Sequence, residues 1–212
     1  MDIQVKKTHY FRKKYNSLER FVSYYYQTSL VSDLIVNSGK VLEIGVGANI
    51  TSLYLKSAGL EVTTCDIDKD LNPDIVADIR NLLFENNSFE AVTAFEVLEH
   101  LPWEDFERTL MELKRVSKKY IIISLPYRST CFEFIFKFPG IRTIFKSNFL
   151  VFFLRFPWFF RGFASSGQHY WEIDGYNYRL GKVIKILRNN FKSVKKIRPV
   201  LDCYRLFFIL EK

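Results

Sequence analysis

Residues 40–52 read Lys-Val-Leu-Glu-Ile-Gly-Val-Gly-Ala-Asn-Ile-Thr-Ser and constrain the fold more than any other stretch of this 212-residue chain. An apolar run of Val41, Leu42 and Ile44 stops at Gly45 and Gly47, and helical spacing resumes at Asn49. That order is a buried strand, a glycine turn and a helix N-terminus. Glycine suits the turn because the backbone needs positive φ and must approach a ligand closely. The new helix offers unpaired N–H groups and a positive dipole end to whatever occupies the gap. A dinucleotide fingerprint needs a third glycine where the helix packs on the strand. Ile50 stands there instead, which disfavours NAD and FAD.

Strands and helices alternate along the rest of the chain. After a basic arm over 1–17, apolar residues at helical spacing predict a helix over 18–36. Strands are expected at 40–44, 61–65, 75–77, 89–95 and 120–125. One helix should run to Ala58 and another from Trp103 to Val116, where Pro102, Glu104, Asp105 and Glu107 suit an N-terminal turn. A last helix over 178–189 precedes two strands, 193–199 and 204–210. This alternation demands a parallel sheet with right-handed crossovers. Asp66 ends the second strand and is well placed for a ribose diol, whereas Asp68 and Asp70 are expected to face solvent.

Glu43, just ahead of Gly45 and Gly47, resembles motif I of class I S-adenosylmethionine-dependent methyltransferases. Residues 88–101, Ser-Phe-Glu-Ala-Val-Thr-Ala-Phe-Glu-Val-Leu-Glu-His-Leu, are similar to the fourth-strand signature of the group containing ubiquinone-biosynthesis O-methyltransferases. The resemblance covers roughly 38–127 and returns at the C-terminal strands. It implies an α/β, Rossmann-like, doubly wound sheet of seven mainly parallel strands, closed by a C-terminal antiparallel hairpin. It also implies S-adenosylmethionine as cofactor, with Glu43 near the methionine ammonium. Gly45, Gly47 and Asn49 would form the turn, Asn49 standing where the family often has glycine. Asp66 would face the ribose, Asp78 and Ile79 the adenine, and Ile67 and Glu96 would complete the cofactor set.

Length and a 48% hydrophobic content suit one globular domain over 1–212. Its parts are an arm and helix (1–37), a cofactor core (38–127), an insert (128–170) and a terminal helix with strand hairpin (171–212). Three widely spaced cysteines, Cys65, Cys131 and Cys203, fit a reduced, cytoplasmic setting, and no secretory leader is expected after the basic start. The net charge of +8 is uneven: residues 21–127 carry nine basic and sixteen acidic groups, residues 128–212 sixteen and five. Such asymmetry fits an anionic substrate, a nucleic acid or a membrane surface, or simply a basic soluble face.

Residues 132–163 contain thirteen aromatic side chains with scattered cations, but no uncharged run there approaches the ~20 residues of a membrane span. Three readings stay open: an inward-packed substrate lid, a peripheral membrane surface, or a stacking platform for single-stranded RNA. Nucleic acid is the least favoured of these partners.

Glu96, Glu99 and His100 stand at i, i+3 and i+4, so a helical turn would put them on one face beyond the fourth strand. Two carboxylates and an imidazole suit Mg²⁺, Mn²⁺ or Zn²⁺. The pattern resembles the metal-binding segment of some ubiquinone O-methyltransferases and small-RNA 2′-O-methyltransferases, and His169 before Tyr170-Trp171-Glu172 is similar to the latter's later histidine. Glu96, Glu99, His100 and His169 are therefore candidate metal ligands, and His100 and His169 candidate catalytic residues. The acceptor expected is a small, sugar-like or lipid-linked molecule methylated on oxygen. The alternatives are an RNA 2′-hydroxyl and a non-catalytic partner protein docking through the insert.

Overall fold

The computed structural model describes residues 7–10, 15–36, 38–128, 130–145, 148–156, 169–174 and 178–212. Helix α1 (Leu18–Ser32) begins where the Ser17 hydroxyl accepts the Arg20 N–H at 3.3 Å. It stops four residues short of the expected end, because the chain must reverse past Asp33 to enter β1 (Lys40–Ile44). Helix α2 (Ile50–Ser57), β2 (Glu61–Asp66), β3 (Ile75–Val76) and β4 (Phe89–Phe95) follow. Helix α3 (Trp103–Val116) leads into β5 (Ser117–Pro126), and helix α4 (Ile141–Phe145) sits between β6 (Thr130–Phe136) and β7 (Leu150–Phe156). Helix α5 (Leu180–Asn190), β8 (Ser193–Ile197) and β9 (Arg205–Glu211) complete the chain.

Seven strands form one sheet in the order β3-β2-β1-β4-β5-β9-β8. Pairs from β3 to β5 are parallel, and β9 runs antiparallel between β5 and β8. This is the expected Rossmann-like architecture, α/β and doubly wound, with a C-terminal antiparallel strand pair. Alternate residues of the central strands feed two cores. Leu42, Val92 and Ile121 join Leu110 and Leu113 of α3 and Val183 of α5 on one face. Val41, Ala91 and Ile122 meet Leu30 and Val31 of α1 and Leu55 of α2 on the other.

The order reverses between β1 and β4, since connections leave β1 toward β2 but re-enter at β4. In such a sheet a crevice opens at the carboxyl ends of those two strands. The insert adds no strand to this sheet. Its β6 and β7 pair only with each other, from Thr130 opposite Phe156 to Phe136 opposite Leu150. Aromatic content alone did not signal these strands; its Trp158 and Phe159 lie outside the described residues.

Phe106 is fully buried in α3, stacked on Trp103 at 5.1 Å and edge-on to Trp171 at 5.0 Å. It thereby joins the sheet face to the segment that returns from the insert. Phe106→Ala should cost about 3–5 kcal/mol of stability in urea unfolding. Exposed Met111, on the same helix, should tolerate Ala within about 0.5 kcal/mol. Equal effects at both positions would contradict this packing.

Candidate active site

The turn after β1 holds three residues in the left-handed region: Gly45 (φ 86), Gly47 (φ 52) and Asn49 (φ 61). Asn49 thus takes the backbone state expected of a glycine, which its short polar side chain tolerates. At Gly45 space is also decisive, since a Cβ would lie 2.4 Å from Val97 Cγ2. Asp66 pins the turn from β2: its carboxylate accepts the Val46 N–H at 2.8 Å and the Asp68 N–H at 2.9 Å.

A cleft of about 910 Å³, including its opening to solvent, lies at the crevice. Of the candidate site residues, Glu43, Gly45, Gly47, Asp66, Ile67, Glu96 and His100 line it. Asp68 lines it too and is buried, which corrects the expectation that it faces solvent; Asp70 is exposed. Asp78 and Ile79 are not on the cleft wall. Arg80 clamps the Asp78 carboxylate at 2.7 Å, and Ile79 is packed in the core. Asn49 shapes the turn from just behind the lining residues Ala48 and Ile50.

Sequence reasoning missed the wall opposite. Tyr10 and Tyr15 of the arm, with Arg20, Tyr24 and Gln27 of α1, close the cleft. The Tyr10 ring comes within 3.5 Å of where a Cβ on Gly47 would sit. Gln27 accepts the Thr51 hydroxyl at 2.5 Å, tying α1 to α2. The available signal was Gln27 itself, a polar side chain on an otherwise buried helix face.

Glu43 is buried, and its Oε2 has no partner among the described residues. Burial pushes its carboxyl up to about 8 against the bonds from Ser52 and the Lys56 charge. A buried acceptor at the edge of a cleft is what a cationic ligand group would satisfy. The Glu43, Gly45, Gly47 and Asp66 set therefore fits a cofactor carrying an ammonium group and a ribose diol.

Beyond β4 the backbone of Glu96 is left-handed (φ 55), which breaks the helical spacing assumed for Glu96, Glu99 and His100. Glu96 turns toward Arg205, whose Nε lies 3.3 Å from Oε2, and accepts the Ser124 hydroxyl at 3.1 Å. Glu99, His100 and His169 do converge, each with a ligand atom within 4.8 Å of the others. The two imidazoles meet edge to face at 4.9 Å. Glu99 is fully buried, and neither carboxylate oxygen has a hydrogen-bond partner among the described residues. Burial, then the Glu96 charge, raises its pKa well above the ordinary range.

The segment after the insert completes this side. The Tyr170 N–H donates to the Glu99 carbonyl at 2.9 Å, and the Trp171 indole N–H donates to the Leu101 carbonyl at 3.1 Å. His169 Nδ1 is 2.7 Å from Glu172 Oε1, which also accepts the Tyr204 hydroxyl at 2.9 Å. Burial opposes ionisation of Glu172, but the bonds from His169 and Tyr204 overcome it and hold its carboxyl below the usual range. An ionised Glu172 can only accept, so the Nδ1–H of His169 donates to it and Nε2 keeps its lone pair. Glu172 and Tyr204 had no sequence motif of their own beyond the His-Tyr-Trp-Glu run.

Residues 42–123 match the family model described as a methyltransferase domain. A search among curated proteins finds no match. Among solved structures, the chain superposes on an S-adenosylmethionine-dependent methyltransferase from Archaeoglobus fulgidus with TM-score 0.63, at 14% identity, covering 98% of this chain and 100% of that one. A second such enzyme, from Aquifex aeolicus, gives 0.61 at 14% identity and 98% of each chain. Magnesium protoporphyrin IX methyltransferase from Synechocystis PCC 6803, solved with bound S-adenosylhomocysteine, gives 0.60 at 16% identity, covering 97% and 94%. At these identities the superpositions speak for the fold. The methyltransferase-domain match spans residues 42–123, the part of the chain that carries the glycine turn and the strands beside it.

In the free protein the Glu43 carboxyl keeps its proton up to about pH 8, whereas the unfolded chain loses it near 4.5. Stability from this group is therefore full below 4.5 and is lost as pH rises toward about 8. An ammonium beside Glu43 favours the ionised form. S-adenosylhomocysteine binding at pH 7 should then release a proton, seen as a buffer-dependent enthalpy in calorimetry, and tighten as pH rises toward 8. Glu43→Gln should abolish the release. Buffer-independent enthalpy in the wild type would contradict the assignment.

Proposed function

We propose that this methyltransferase transfers a methyl group from S-adenosylmethionine to an oxygen of a small, sugar-like or lipid-linked acceptor, with His169 as general base. The observation that carries this reading is the His169–Glu172–Tyr204 array, which stands off the cleft wall and reaches it through His100. S-adenosylmethionine bound in the cleft supplies an electrophilic methyl carbon on a positively charged sulfur, the leaving group being the neutral thioether. Glu43 receives the ammonium, Asp66 the ribose hydroxyls, and Ile67, Asp68 and Leu71 form the adjoining wall. Gly45 and Gly47 let the backbone approach closely.

Attack requires an acceptor oxygen aligned with the methyl carbon and relieved of its proton. Nε2 of His169 takes that proton as the new C–O bond forms, and the electron pair of the broken C–S bond stays on sulfur. Glu172 stabilises the resulting imidazolium and fixes the ring orientation. His100, which lines the cleft and abuts His169, lies between this base and the cofactor side.

A second reading gives Glu99, His100 and His169 to a divalent cation. The buried Glu99 carboxylate, without a hydrogen-bond partner among the described residues, favours it, because such a group otherwise has to hold a proton. A cation held there would lower the pKa of an acceptor hydroxyl. Glu96 belongs with Arg205 in this reading and is not a ligand.

Tritiated-methyl transfer into polar-lipid and saccharide extracts, with products identified by mass spectrometry, gives the assay. His169→Ala should cost on the order of 10²–10⁴-fold in rate with cofactor binding retained. Activity that survives chelator assigns His169 as the base. Activity lost to chelator and restored by Mg²⁺, Mn²⁺ or Zn²⁺ assigns the cation. Full activity in both His169→Ala and His100→Ala would refute both readings.

A further inference from the structure

The hairpin of β6 and β7 has two unlike faces. With Phe132 opposite Leu154, Phe134 opposite Phe152 and Phe136 opposite Leu150, the twofold strand period puts these six side chains on one side. That side is turned to solvent: Phe136 is 51% and Phe152 57% exposed, and Phe134 and Leu154 are exposed as well. The opposite side faces the body of the protein. Glu133 accepts the Leu201 N–H at 2.8 and 2.9 Å, and the Arg198 guanidinium lies 5.3 Å over the Phe153 ring. Phe153 is therefore on the inner face, unlike its neighbour Phe152. At the tip, Phe138, Ile144 (69%) and Phe145 are exposed too, as are the cations Lys137 and Arg142.

Exposed large apolar side chains on one contiguous face mark an interaction surface. We infer that this face docks on an anionic lipid bilayer, seating the tip and the outer face of the hairpin at the headgroup boundary. Charge selects the occupant. Residues 128–163 hold six Lys or Arg and a single acid, Glu133, which is engaged on the inner face. An apolar face with Lys137 and Arg142 exposed at its tip complements an anionic interface. Two copies packed face to face would instead oppose Lys137 and Arg142 to their equivalents. A nucleic-acid platform needs flat rings, and Leu150, Leu154 and Ile144 interrupt them.

The position of the hairpin links the surface to the site. It leaves the carboxyl end of β5, on the edge where the cleft opens, and precedes the segment carrying His169. Docking would bring the acceptor side of the cleft to the lipid headgroups, so the acceptor is a membrane lipid with a free hydroxyl. That last step rests on the oxygen-acceptor reading above; the docking does not.

The test is co-sedimentation with phosphatidylcholine vesicles, with and without phosphatidylglycerol. The full-length protein should bind the anionic vesicles at low salt and be partly released at high salt. F134D/F152D should bind at least about tenfold more weakly, and K137E/R142E should lose the anionic preference. Melting temperatures of both variants should match the wild type, since these side chains are exposed. An absence of binding at low salt, wild-type binding by F134D/F152D, or a wild-type dimer that F134D/F152D dissociates would each overturn the proposal. S-adenosylhomocysteine calorimetry on the same proteins keeps the two readings apart. Cofactor binding without vesicle binding refutes the docking alone, and vesicle binding without cofactor binding refutes the cofactor assignment alone.

Discussion

The bond from the Val46 N–H to the Asp66 carboxylate is the constraint on which the site depends. It holds the tip of the β1–α2 turn against the end of β2, so the three left-handed residues close into one cradle rather than a mobile loop. That placement sets the start of α2, which Gln27 then ties to α1 through Thr51. It also encloses Glu43, which sits at the end of β1 with an unpartnered oxygen and a raised pKa. A polar group kept buried in this way costs stability unless something pairs with it. The cleft is therefore preorganised for a ligand carrying positive charge near Glu43 and hydroxyls near Asp66.

Much of this was legible in the sequence because it depends on local rules. Gly45, Gly47 and Asn49 announced positive φ, and the apolar period announced β1, β4 and α3, the last to the residue. Glu43, Asp66 and Ile67 reach the cleft because the sheet order fixes where strand ends meet. Asp78 and Ile79 were carried by resemblance rather than by spacing, and the backbone sets them off the cleft wall, with Asp78 held by Arg80. The i, i+3, i+4 argument for Glu96, Glu99 and His100 failed at one residue, because left-handed geometry at Glu96 swings its side chain to Arg205. Contacts made by distant parts of the chain left no periodic trace. The wall of Tyr10 and Tyr15, the Glu172–Tyr204 support of His169 and the self-paired β6–β7 hairpin are all of this kind.

The two sides of the cleft follow different physics. The cofactor side is built on the carboxyl ends of β1 and β2 and relies on backbone geometry and buried carboxylates. Next to it, the loop after β4 brings His100 to the cleft wall and is backed by the segment after the insert through the Tyr170–Glu99 and Trp171–Leu101 bonds. The two histidines and Glu99 meet only when those two segments are docked. A change in the insert can thus alter acceptor choice while the glycine turn keeps its form.

The central claim is that the cleft between Glu43 and Asp66 is built for S-adenosylmethionine. Its most direct test is a competition titration of the wild-type protein with S-adenosylhomocysteine and NAD, followed by Asp66→Asn. The account predicts saturable S-adenosylhomocysteine binding, no displacement by NAD, and binding about tenfold or more weaker in a folded Asp66→Asn protein. Binding of NAD in preference, or unchanged affinity in Asp66→Asn, would contradict it.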